Sequence, residues 1–208
     1  MSFTDILWIF IILSLIQPVI MKRWLESTRQ RLIARIEKKR KSRVILLVHR
    51  QETMSLIGFP VFRYIDIEDA EAVMRAIELT EPGIPLDIVL HTPGGLAIAA
   101  FQIACALKKY RGKVRVIVPH YAMSGGTLIA LAADEIIMSQ HAILGPVDPQ
   151  IGNRPAVSYL NILKKKPVEK IDDETLIMAD ISEKAIIQSQ ECLRGILSKH
   201  YSLSLIHI

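Results

Sequence analysis

Cysteine is scarce in this chain, with Cys105 and Cys192 the only two in 208 residues. A disulfide-stapled scaffold is excluded by that count, and no spacing of cysteine or histidine marks a metal site. Both cysteines fall in segments with helical patterning, where reduced, buried thiols are expected. Absent as well are a phosphate-binding loop, a dinucleotide fingerprint and a zinc pattern, so the sequence implies no cofactor. An excess of basic charge is missing from most of the chain. Residues 22–43 hold ten Lys/Arg against Glu26 and Glu37, an excess of eight, while the whole chain carries +5. The remainder is therefore near −3 (5 − 8), which gives no ground for a nucleic-acid-binding domain.

Positive charge is also lacking before the first long apolar run, ILWIFIILSLIQPVIM at residues 6–21. Asp5 is the one charged residue ahead of it and Lys22-Arg23 follow, the reverse of a cleavable signal peptide. Counted from Phe3, the run reaches the lower end of the roughly 17–25 residues that span a bilayer. An uncleaved transmembrane anchor over 1–21 is expected, with a basic juxtamembrane helix over 22–42. The positive-inside rule puts that collar, and the body after it, in the cytoplasm. Trp24, Leu25, Thr28, Leu32 and Ile36 recur at helical spacing, which suits a helix lying along anionic lipid or one that is simply solvated.

The body begins near Arg43. Apolar runs at 44–48, 86–90 and 114–118 read as buried strands, a further apolar run at 135–138 reads as the next strand, and 66–79, 96–109 and 127–133 read as helices between them. Residues 54–64, broken by Gly58 and Pro60, suit a loop or short hairpin. A last helix is expected from 172 to about 198, after a lysine run at 164–166 assigned to a solvated loop. Strand and helix alternate throughout. The fold class is therefore α/β with a parallel sheet built from repeated strand-turn-helix units.

Two of those units share a feature. The strand at 86–90 runs into His91-Thr92-Pro93-Gly94-Gly95, and the strand at 114–118 leads into Ala122-Met123-Ser124-Gly125-Gly126. In neighbouring parallel strands both turns open on the carboxyl edge of the sheet, where ligands of such sheets bind. A serine between strand and helix is placed as a nucleophile is, although serine also serves there as an ordinary helix cap.

With these two motifs, roughly residues 43–198 resemble the Clp-class serine peptidases of the crotonase-like superfamily. The nearest resemblance is to the membrane-bound serine dehydrogenase proteinase (SDH proteinase) family, related to signal peptide peptidase A. The resemblance implies a Clp/crotonase-like domain over 43–201, Ser124 as nucleophile, and the N–H groups of Gly95 and Gly125 as the oxyanion hole. It also implies a homo-oligomer. Where the Clp proteolytic subunit has its catalytic histidine, this sequence has Gly145. Relatives of signal peptide peptidase A use a lysine base, and Lys184 stands at i+7 from Ile177 and i+3 from Ile181 on an apolar helix face. Lys184 is therefore the expected base, with Lys165 and His120 as alternatives. His91 reads as an ordinary strand-end histidine. Residues 202–208 look foreign to the resemblance and are left unassigned.

Three functions compete. The first is a membrane-anchored serine peptidase with a Ser124/Lys184 dyad, acting on peptides or membrane proteins. A non-catalytic peptidase-like membrane scaffold is the second. The third is a crotonase-type acyl-CoA enzyme, which shares paired oxyanion turns but needs no serine at 124.

Overall fold

The computed structural model describes residues 3–49, 55–56, 59–60 and 63–198, with the side chains of 3–9, 11–15, 55–56 and 59–60 outside that description. By its contacts the chain divides into two units, Met1–Val44 and Ile45–Ile208.

The first unit is dominated by helix α1, Phe3–Arg40, which is continuous through Pro18 and through the expected boundary at 21. Exposed apolar side chains at Ile16, Val19, Ile20, Met21, Trp24 and Leu25 spread round more than half of its circumference, not along one narrow stripe. Among the described residues no helix is long and apolar enough to cross a membrane. The anchor expected over 1–21 lies largely on side chains outside the described set. Lys41 ends α1 in the left-handed region, φ 50°. The Glu37 carboxylate then accepts the Val44 N–H at 3.0 Å, which fixes the exit of the chain.

The second unit is α/β. Its main sheet has the order β1 (Arg43–Val48), β4 (Leu86–His91), β5 (Val114–Val118), β7 (Glu135–Met138). Between the first two of these strands lie β2 (Ser55–Leu56) and β3 (Phe59–Pro60), a short antiparallel hairpin within the stretch read as loop or hairpin. Strands β4 and β5 pair in parallel with Leu86 opposite Val114, and β5 and β7 pair in parallel with Val116 opposite Ile136. Leu86, Ile88, Leu90, Val114, Val116 and Val118, which alternate along their strands and so share one face, are completely buried, while Arg115 and Ile117 on the other face of β5 are half-buried.

Helix α2 (Ile67–Glu78) starts from a reciprocal capping box between Asp66 and Asp69. Helix α3 (Ala97–Lys109) packs against α2 and against α4 (Gly125–Leu131). A small second sheet pairs β6 (Tyr121–Ala122) with β8 (Ile143–Leu144), and a parallel bridge ties Thr92 to Ala122. This layer holds the chain together just past the ends of β4 and β5.

The hairpin of β9 (Gln150–Ile151) and β10 (Arg154–Pro155) leads into α5 (Ala156–Lys165), which packs on α6 (Asp173–Leu197). Here the structure corrects the sequence reading, because Lys164 and Lys165 form the last turn of α5 and not a loop. Pro155 starts that helix and Pro167 follows its end, so two prolines bracket a segment whose lysines favour a helix C-terminus. Residues 202–208, left unassigned above, lie outside the described residues.

Candidate active site

Ser124 is the N-cap residue of α4, yet its side chain makes no capping hydrogen bond. Its backbone sits at φ 49°, ψ −116°, a positive φ that a residue with a Cβ rarely adopts. Such a torsion costs about 1–3 kcal/mol and persists only where the surroundings impose it. They do so here. The Ser124 N–H donates to Pro146 O at 3.2 Å, Met123 N–H to Thr92 O at 3.0 Å, and Gly126 N–H to Met123 O at 2.8 Å. Below the turn the Thr127 hydroxyl reaches Ala122 O and Gly145 O, at 2.9 and 2.7 Å. A half-buried hydroxyl is thus held on a strained turn without being used as a cap.

The other glycine turn lies directly against it. Gly94 has φ +104°, and a Cβ there would come within 2.9 Å of both Met123 O and the Cβ of Ser124. At Gly95 a Cβ would fall 2.2 Å from Ile65 O, so no larger residue fits. Ile65 bridges this turn, its N–H donating to Gly94 O and its C=O accepting from Leu96 N–H, both at 2.8 Å. A trans peptide points its two polar groups in opposite directions, so with Gly94 O on Ile65 the Gly95 N–H faces the other way. The Gly95 nitrogen lies 3.8 Å from where a Cβ on Gly125 would sit. The structure therefore brings Ser124, Gly125, Gly94 and Gly95 together.

The expected bases are all solvent-exposed. The Lys184 side chain is 73% exposed and pairs with Asp180 at 2.5 Å, one helical turn away. Ile177 and Ile181, its neighbours on the face read as apolar, are exposed too, while Ala179 and Ser182 are the residues α6 buries there. Small side chains let the helix approach its neighbours on that side. Lys165 is exposed, and exposed His120 stacks its ring on His91 at 5.6 Å between centroids. Among the described residues none of the three hydrogen-bonds Ser124.

A buried polar chain runs behind the glycine turn instead. His49, with a side chain 5% exposed, places Nδ1 3.0 Å from Thr92 Oγ1 and Nε2 3.2 Å from Asp69 Oδ2. Thr92 Oγ1 in turn accepts the Gly94 N–H at 3.2 Å.

The family model for ClpP-like SDH-type serine proteinases matches residues 1–204 of this chain. The chain belongs to that family. Two uncharacterized proteins of Methanocaldococcus jannaschii are 52% and 48% identical to it, each over 93% of the chain. The chain spans about two thirds of the length of those relatives, 66% and 68%. Proteolytic subunit 1 of the ATP-dependent Clp protease of Chlamydia pneumoniae is 29% identical over 57% of the chain and 68% of its own length.

For this SDH-type proteinase chain, the paired turns were legible because each is a local pattern. The His49 chain was not. Its members are 43 residues apart at one link, and the only signal in the sequence was a histidine closing a strand beside an acidic helix start.

Proposed function

We propose that this chain is a membrane-anchored serine peptidase in which Ser124 is the nucleophile. The observation that carries this reading is the Ser124 hydroxyl itself, held at φ 49° with no capping bond and packed against Gly94. In the mechanism, Ser124 Oγ attacks the carbonyl carbon of a peptide bond and gives up its proton to a base. The carbonyl oxygen becomes an oxyanion, met by the N–H groups of Gly95 and Gly125. The tetrahedral species then expels the amine, which takes the proton, and water hydrolyses the acyl-serine in a second round.

The base in this reading is Lys184, with Lys165 and His120 the alternatives. A lysine must lose its proton to serve, and desolvation achieves that. Ile177, Ile181 and Lys184 share the exposed face of α6, so a second copy of the chain covering that face would desolvate the amine and displace Asp180. Homo-oligomer assembly and base activation thus belong together.

Anchoring through 1–21, with the basic collar on the cytoplasmic side and anionic lipid as its partner, completes the proposal, and membrane proteins or their peptides are the substrate class. The exposed position of all three bases favours a second reading, a peptidase-like scaffold without activity. An alkyl fluorophosphonate applied to the detergent-solubilised protein separates the two. Peptide mapping is expected to place the adduct on Ser124, and absence of any adduct there would remove the nucleophile.

A further inference from the structure

We propose that His49 is a positioning residue for the oxyanion turn, setting through Thr92 the direction in which the Gly95 N–H points. The inference rests on the reading above in which Gly95 is an oxyanion donor.

His49 closes β1, and its backbone N–H donates to His91 O at 2.7 Å, so the ring is held at the carboxyl edge of the sheet. Asp69 Oδ2 accepts two hydrogen bonds, one from the Asp66 N–H of the capping box at 3.1 Å and one from the imidazole. A carboxylate can only accept, so Nε2 of His49 carries the hydrogen. In the neutral ring Nδ1 is then an acceptor. The completely buried Thr92 hydroxyl must donate to it, which leaves a lone pair of Oγ1 for the Gly94 N–H.

Thr92 has one alternative. Its hydroxyl also lies 3.4 Å from Gly94 O and can donate there instead, but it has a single hydrogen. Gly94 O already accepts from Ile65 N–H, and that bond sets the plane of the peptide whose other end is the Gly95 N–H. A Thr92 hydroxyl turned onto Gly94 O is a second donor on that carbonyl; it draws the oxygen toward Thr92 and tilts the peptide. The tautomer of His49, selected by Asp69, therefore decides where the oxyanion donor points. Nothing in the chain Asp69, His49, Thr92, Gly94 touches the scissile bond.

His49→Leu tests this. With no acceptor left at the place of Nδ1, the Thr92 hydroxyl turns to Gly94 O, while Asp69 Oδ2 keeps the Asp66 N–H. In the full-length, detergent-solubilised protein labelled with ¹⁵N-glycine, the expected result has two parts. The Gly95 amide resonance shifts, and capture of Ser124 by an alkyl fluorophosphonate slows roughly 10–100-fold, part of what loss of an oxyanion donor costs. On a fluorogenic peptide, kcat falls while KM holds. His49→Asn, whose amide oxygen can stand at the place of Nδ1, should restore both the resonance and the capture rate.

A His49→Leu protein that keeps the Gly95 resonance and the parent capture rate overturns the proposal. So does a His49→Asn protein that is captured as slowly as His49→Leu. If the parent protein is not captured at all, the nucleophile reading fails first and the proposal falls with it, a result the nitrogen spectra distinguish because they need no catalysis.

Discussion

Asp87 and Arg115 face each other in register on β4 and β5, with Arg115 Nε 2.5 Å from Asp87 Oδ1 and the carboxylate completely buried. A pair of this kind gains little over apolar residues of the same shape, but breaking it strands a charge in the sheet. Arg115→Met is expected to lower unfolding stability by about 3–5 kcal/mol. Adding Asp87→Leu should recover much of that loss. Denaturant melts of the two variants check it, and equal stabilities would show that the carboxylate finds other support.

Strain at Ser124 has its own signature. Glycine tolerates a positive φ, so Ser124→Gly is expected to raise stability by about 1 kcal/mol while abolishing fluorophosphonate capture. Ser124→Ala should abolish capture with little change in stability, since the hydroxyl caps nothing. A cap residue would behave oppositely. Loss of stability in Ser124→Gly, measured by thermal unfolding, would contradict the strain.

The base is settled by four substitutions assayed together. Lys184→Met should cut peptide hydrolysis by roughly 10²–10⁴-fold, the usual worth of a general base, and Lys184→Arg should fail equally because guanidinium cannot accept a proton. Stability should change by less than about 0.5 kcal/mol, as expected for an exposed side chain. Loss confined to Lys165→Met or to His120→Ala moves the role there. Full activity in all of them ends the dyad.

Asp172 caps α6, and its carboxyl is held below the usual aspartate range by the Thr175 N–H and hydroxyl. A group depressed on folding contributes stability that is present above the unfolded value and disappears as the pH falls through the folded one. Asp172→Asn keeps a cap without the charge. The parent protein should therefore resist urea better than this variant at pH 7, and the gap should close on acidification below the ordinary carboxylate range. A gap that is independent of pH would mean the charge contributes nothing.

Removal of residues 1–21 should release much of the protein from membranes. What stays bound is expected to depend on the basic collar, and hence to leave with added salt. Membrane pelleting at low and high ionic strength reads this directly. Salt-resistant binding of the truncated chain would place the anchor elsewhere.

Local patterns in the sequence determined the alternation of strand and helix, the helix start at Asp66, and the two glycine turns, because each depends on residues a few positions apart. The apolar runs at 86–90 and 114–118 read as buried strands; β4 is buried on both faces but for Val89, whereas β5 buries one face and half-covers Arg115 and Ile117 on the other. Helix α5 escaped because the lysine run at its end looked like a solvated loop until Pro155 and Pro167 were seen to bracket a packed segment. The face of α6 was misjudged for a related reason. Ile177 and Ile181 mark an apolar stripe, but which stripe is buried depends on what packs beside the helix, and Ala179 and Ser182 are buried here. Only the tertiary structure decided that Gly94 lies against Ser124, that the serine is left uncapped at φ 49°, and that His49 joins Asp69 to Thr92. Those relations are set by neighbouring strands and turns far apart in the chain, and no periodicity within a single segment encodes them.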